Sequence, residues 1–110
     1  MPADEALVDR VRTLIEARAT TTERRQFGGA AFMVGGNVAC GVLPRGLLVR
    51  CDPAEAPTHL EASGVIPFEM GGRVSAGWLL VGPEAIATDE ALARWVEVGT
   101  AFASSLPAKG

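Results

Sequence analysis

The stretch FGGAAFMVGGNVACGVLPRGLLVRC, residues 27–51, decides the fold, because its short apolar runs are separated by turn signals. Gly35-Gly36 joins the runs AAFMV and NVACGVL, since a glycine pair adopts the positive φ angles of a two-residue hairpin turn. Pro44-Arg45-Gly46 favours a second turn, which places Cys40 opposite Arg50. The stretch therefore predicts a meander of three antiparallel strands.

Helical patterns lie on both sides of this meander. Apolar residues at helical spacing predict an N-terminal helix of about four turns, capped by Asp4 and ending at the run ATTT, residues 19–22. Asp52 and Pro53 favour a second helix, which Pro57 shortens or moves toward itself. Thr88 caps a final helix. The glycine inside that helix, residue 99, costs about 1 kcal/mol relative to alanine, so we expect a close backbone approach there.

A second hairpin follows the middle helix. The runs VIPFEM and VSAGWLLVG meet at Gly71-Gly72, and Pro67 indicates strand entry or an edge position. The chain thus reads helix, three strands, helix, two strands, helix. Since the strands come in hairpins, we predict one α+β domain over residues 1–110, with a five-stranded antiparallel sheet and three helices in two layers.

Composition and charge limit the classes of function. The chain has 110 residues, of which 48% are hydrophobic, so one compact soluble domain with a real core is expected. The net charge of −3 and the scattered arginines provide no basic patch, so we expect no direct binding to nucleic acid. The N-terminus does not resemble a secretory signal, and no apolar stretch is long enough to span a bilayer. These features predict a cytoplasmic protein without membrane contact, in which Cys40 and Cys51 are free thiols.

The glycine pairs do not predict a phosphate site. Gly36 and Gly41 have the spacing of a phosphate-binding loop, but Val42-Leu43 occupy the positions of its lysine and hydroxyl residue. Gly28-Gly29 precedes a strand rather than a helix whose N-terminus holds an anion. One histidine and two cysteines without a CxxC motif do not predict a metal site either. We therefore expect the glycines to form turns, and we expect neither a cofactor nor a metal.

The candidate site residues are few. Arg50 and Arg73 are the candidates for polar contacts, because each is a charge within or beside an apolar strand and must find a partner or water. A thiol enzyme or small-ligand protein that uses Cys40 with Arg50 and His59 is the alternative, since a nearby guanidinium lowers the pKa of a thiol. We favour a core role for Cys40 and a solvated His59.

Several motifs together resemble the N-terminal domain of the TfoX/Sxy family, the competence regulators. They are FGGAAFMVGG, LLVRC, IPFEMGGR, GWLLV and EALARWVEVGTAFASSLP, which together cover nearly the whole chain. The resemblance implies a two-layer fold similar to that of secretion chaperones. It also implies a small non-enzymatic interaction or regulatory module that acts through protein contacts with an unidentified partner. The matching positions are Phe27, Gly28, Gly29, Ala31, Phe32, Met33, Leu48, Val49, Arg50, Pro67, Phe68, Met70, Gly72, Arg73, Gly77, Trp78, Val81, Leu92, Trp95, Leu106 and Pro107.

The strand faces predict self-association. An antiparallel sheet with one face in water alternates apolar and polar residues, and these strands do not. Three helices in a two-layer fold cover one face only. We therefore predict a homodimer that buries part of the second face through a two-fold interface. The turns assign Phe32, Ala39, Val49 and Cys51 to one face, and Met33, Val38, Cys40, Val42 and Leu48 to the other.

Overall fold

The computed structural model describes residues 4–26 and 28–108 of the chain. Within these ranges the helices are α1 (Glu5–Glu16), α2 (Ala56–His59) and α3 (Asp89–Ser105), and a 3₁₀ turn, Pro83–Ile86, precedes α3. The predicted caps of α1 and α3 are confirmed, whereas Asp52 does not cap α2, which begins after Glu55 without a side-chain cap. The Asp4 carboxylate accepts a hydrogen bond from the Ala6 amide at 2.9 Å, and the Thr88 hydroxyl accepts one from the Ala91 amide at 3.1 Å. The middle helix is short, as Pro57 predicts.

The described part of the chain forms one antiparallel sheet of six strands, in the spatial order β1-β2-β3-β4-β6-β5. The strands are β1 (Thr22–Gln26), β2 (Gly29–Val34), β3 (Asn37–Leu43), β4 (Gly46–Arg50), β5 (Val65–Met70) and β6 (Arg73–Val81). The α+β class and the antiparallel pairing are confirmed, and Pro67 lies on the edge strand β5 as expected.

The prediction of five strands is wrong, because β1 adds an edge strand before the meander. Its sequence, TERRQ, has no apolar alternation, so the pattern predicted only extended chain there. Two arginine–carboxylate pairs hold β1 against α1: Arg12 with Glu23 at 2.7 Å, and Arg25 with Glu5 at 2.7 Å. Contacts between elements, rather than local pattern, therefore define this strand.

The glycine pairs turn the chain, as predicted. Gly35 and Gly36 have φ angles of 59° and 82°, and Gly71 and Gly72 have φ angles of 61° and 80°, which matches two-residue hairpin turns with positive φ. Gly28 also has a positive φ, 75°, in the turn that leads into β2. Its neighbour, the phenylalanine among the family-like positions, lies outside the described residues.

The predicted register of β3 and β4 is wrong by one residue. Leu43 pairs with Gly46 across a two-residue turn, so Cys40 lies opposite Val49 and not opposite Arg50. Cys40 therefore shares a sheet face with Phe32 and Val49, against the predicted grouping. Val42 lies on this same face.

A bulge adds a second irregularity to this part of the sheet. Phe32 pairs with Cys40, whereas the next residue, Met33, pairs with Val38. Ala39 is consequently an extra residue in β3, without a partner in β2. Neither the turn nor the bulge follows from the periodicity of the apolar residues.

The core lies between α1, α3 and the sheet face that carries Phe32 and Cys40. α3 crosses β3 so closely that a Cβ atom on Gly99 would collide with the Ala39 carbonyl oxygen. The close backbone approach expected at Gly99 is confirmed. The largest fully buried side chains are Phe32, Ile15, Leu47, Leu79, Leu92, Val8, Val11, Val42, Val49, Val81, Val96 and Cys40.

Candidate functional site

The strand register divides the sheet into two faces of different exposure. On the helix side, one row of paired residues consists of buried side chains: Ala30, Val42, Leu47, Val81 and Val65. The neighbouring row begins at the exposed Arg24 on the edge strand β1, continues through Ala31, Gly41, Leu48, Leu80 and Ile66, and points to the opposite face. We call this opposite side the uncovered face.

The uncovered face is apolar although α1 and α3 do not cover it. Ala31, Val38, Leu43 and Leu48 are only half-buried there. Toward the edge strand, Met70 is 64% exposed and Ile66 is 47% exposed. The face is therefore a continuous apolar surface of the kind that protein or ligand contacts use.

A groove of about 450 Å³ lies in the uncovered face. The sequence analysis detected that the strands lack polar alternation but missed the groove, because its walls come from five strands that are far apart in sequence. Phe68 and Met70 come from β5, and the remaining side chains from β2, β3, β4 and β6. Its volume is typical of sites for small molecules. The lining residues are Ala30, Ala31, Val38, Gly41, Leu43, Leu48, Phe68, Met70 and Trp78.

Arg50 lies beside this groove, close to two aromatic rings. Its guanidinium carbon is 5.0 Å from the centroid of Trp78, the residue that pairs with it in β6, and 5.4 Å from the centroid of Phe102 in α3. Both distances are within the range of cation–π contacts. Arg50 is half-buried, and it makes no hydrogen bond or ion pair with the residues that the structure describes.

Arg73, the second candidate for polar contacts, lies elsewhere. It begins β6 directly after Gly71 and Gly72, and its side chain is exposed to solvent. In the described ranges it has neither an ion pair nor a hydrogen bond. The structure therefore does not bring the two candidate arginines together, and it gives Arg73 no contact from which a role follows.

A second groove, of about 480 Å³, lies between α3 and the chain that follows β4. It carries both signs of charge, with carboxylates at Asp52, Glu55 and Glu97 and a guanidinium at Arg94. Glu97 already pairs with Arg18 at 2.9 Å. This groove consequently does not favour one class of ligand.

The alternative site of Cys40, Arg50 and His59 is not assembled. Cys40 is fully buried in the core, and burial raises its pKa to about 12, the opposite of the lowering expected beside a guanidinium. Burial also raises the pKa of Cys51, and the carboxylates of Glu55 and Asp52 add to this. Both thiols are free, and both stay protonated at neutral pH.

The prediction of a solvated His59 is wrong. Its side chain is 21% exposed and packs edge-on against Trp95, with ring centroids 5.6 Å apart. Its Nε2 atom is buried without a hydrogen-bond partner among the described residues, and Glu55 Oε1 lies 3.8 Å away. His59 therefore belongs to the packing of α2 against α3.

The described residues contain no group of three histidine, cysteine or acidic side chains with the geometry of a metal site. Within the same ranges, no helix has both the length and the apolar character to cross a membrane.

Comparison with known proteins gives a family for this chain. No curated protein matches the chain. The TfoX N-terminal domain family, in contrast, matches residues 13–103 of the 110 residues. The match spans the sheet, the middle helix and most of α3, and it includes both Arg50 and Trp78. The chain belongs to the TfoX N-terminal domain family.

Proposed function

We propose that this protein is a small regulatory or interaction module that acts through protein contacts, and that the uncovered face is its contact surface. The family is non-catalytic and regulatory. The side chains that would form a thiol enzyme lie apart, and the thiol of Cys40 is held in the core. The single observation that carries the proposal is the half-exposed apolar sheet face opposite the helices.

The sheet edges support a contact through the face rather than through strand addition. β1 is a charged edge, whose Glu23 and Arg25 are already paired with α1. At the other edge, Pro67 in β5 provides no amide hydrogen for an added strand. Charge and proline are devices that prevent pairing between sheet edges.

Among protein partners, we favour a second copy of this chain. The side chains that line the groove carry no charge, and the arginines on this face, Arg24 and Arg50, lie at its margin. Two-fold symmetry then buries the same residues on both copies, including the exposed Met70 and Ile66. We therefore propose a homodimer. The two free thiols suit a reducing compartment, so we place it in the cytoplasm.

Sedimentation equilibrium across micromolar concentrations tests the dimer. We expect the average mass to rise above the monomer mass of 11.4 kDa as concentration increases. Met70→Glu introduces a charge into the exposed face and should shift the equilibrium to monomer. Ala62→Glu introduces the same charge at an exposed position outside the strands and should leave the dimer intact. A single species near 11.4 kDa at every concentration would refute the dimer.

A further inference from the structure

The groove in the uncovered face is concave, so only a convex group can fill it. Its volume is about 450 Å³ and its walls are apolar, so water inside it finds few hydrogen-bond partners. A two-fold contact centred on the groove would place one concave surface against another. Such a contact leaves the groove unfilled, and the surrounding side chains lose their packing partners. A separate small molecule with an apolar body fills it better than the same face of a second copy.

Arg50 adds a charged group at the same place. Its guanidinium carbon lies over the ring of Trp78, which forms part of the groove wall, and also over the ring of Phe102. Cation–π contacts do not use the N–H donors of a guanidinium as hydrogen bonds to an acceptor, so these donors remain available. No acceptor among the described residues uses these donors. A guanidinium donates paired hydrogen bonds to carboxylates and phosphates, and of these two groups the carboxylate is planar, like the guanidinium.

We propose that the groove and Arg50 together form a binding site for a small amphiphilic carboxylate. Its apolar chain lies in the groove between Leu48 and Phe68, and its carboxylate accepts hydrogen bonds from Arg50. The inference rests on the proposed function in one respect, namely that the uncovered face is a binding surface. It does not require the dimer, because one chain provides every lining residue.

Decanoate, below the concentration at which it forms micelles, is the probe for this site. Decanol and decyltrimethylammonium are the matched controls, with a similar chain and a neutral or positive head. The chain has two tryptophans and no tyrosine, so Trp95→Phe leaves Trp78 as the fluorescent reporter in the groove wall. Calorimetry on the unmodified chain provides a second measurement of each affinity.

We expect decanoate to bind more tightly than decanol, and decyltrimethylammonium to bind most weakly. Arg50→Gln should weaken decanoate about tenfold or more and leave decanol unchanged, since only the charge-assisted hydrogen bonds are lost. Arg50→Lys keeps the charge and should retain part of the preference for decanoate. Arg45→Gln removes an exposed turn arginine and should have no effect. Ala31→Phe fills the groove and should abolish binding of both decanoate and decanol.

Two results would refute the proposed site. One is that decanoate and decanol bind with equal affinity, and the other is that the wild type and Arg50→Gln bind decanoate with equal affinity. The absence of saturable decanoate binding would refute it as well. Thermal melting of each variant confirms that it is folded at the temperature of the titration.

Sedimentation of the same samples separates the proposed binding site from the proposed dimer. Decanoate binding that depends on Arg50 in a monomeric wild type supports the site and refutes only the dimer. A dimer without such binding refutes only the site.

Discussion

Replacement of Gly99 by alanine should destabilise the protein, although alanine is the better helix former. Gly99 is buried in the interior of α3, where alanine is favoured by about 1 kcal/mol on helix propensity alone. The added Cβ, however, would collide with the carbonyl oxygen of Ala39. That oxygen belongs to the backbone of β3, so it cannot rotate away as a flexible side chain would.

The expected loss of stability follows from two opposing effects, the gain in helix propensity and the collision of the added Cβ. Overpacking of a core costs typically 1–3 kcal/mol, and a contact with backbone belongs at the upper end of that range. After subtraction of the propensity gain, we expect Gly99→Ala to lower the free energy of unfolding by about 1–2 kcal/mol. For a chain of this size, each kcal/mol corresponds to a fall in Tm of about 4–8 °C.

Urea denaturation and thermal melting, followed by far-ultraviolet circular dichroism, measure this change. Ala101→Gly is the control, because Ala101 is exposed in the same helix and its replacement changes helix propensity alone. It should cost about 1 kcal/mol. A Gly99→Ala variant that is as stable as the wild type, or more stable, would show that α3 does not contact β3 as closely as described.

Three further measurements test other parts of the fold. Cys40 should react with iodoacetamide far more slowly than a free thiol at neutral pH, because it is fully buried and its pKa is about 12; rapid labelling would contradict the core position. Glu23→Gln should destabilise the protein near neutral pH by about 1 kcal/mol. Arg12 lowers the pKa of Glu23 in the folded state, so the pair stabilises the fold above the ordinary value of 4.5 and this contribution is lost as the pH falls through the lowered pKa. The difference between wild type and variant should therefore shrink in acid, and a difference independent of pH would exclude the pair. Thr88→Ala should cost about 1 kcal/mol through loss of the helix cap, and an unchanged Tm would exclude that role.

The sequence predicted the elements whose causes are local. Gly35 and Gly36 specify a hairpin turn through their own backbone freedom, and Asp4 and Thr88 cap helices through hydrogen bonds within a few residues. These features were correctly placed because no distant residue decides them.

One error concerns a strand that depends on residues far apart in sequence, and the other concerns a turn whose length the local sequence leaves open. The strand β1 is polar and becomes a strand through its pairing with β2 and through ion pairs such as that of Arg12 with Glu23. The register of Cys40 depends on whether the turn before Gly46 contains two residues or three, and both are compatible with its proline and glycine. A slip of one residue reverses the face of every side chain in a strand.

One part of the candidate site is decided by nearby residues and could be predicted, and another part is decided by distant residues and could not. The uncovered face was predictable, because strands such as GLLVR lack the alternation of a face in water. The groove was not, because it depends on how Phe68 and Met70 from the edge strand stand above the rest of the sheet.

The sequence alone identified Arg50 as a candidate for polar contacts, before its neighbours in the structure were known. A charge at the end of an apolar strand needs a partner or water. An acidic partner is the common solution, and Arg12, Arg18 and Arg25 all have one. The guanidinium of Arg50 instead lies near the rings of Trp78 and Phe102, and its donors have no acceptor among the described residues. A hydrophobic residue would pack beside the two rings without the cost of a half-buried charge. An anionic ligand, as proposed for the groove, would offset that cost by accepting hydrogen bonds from Arg50.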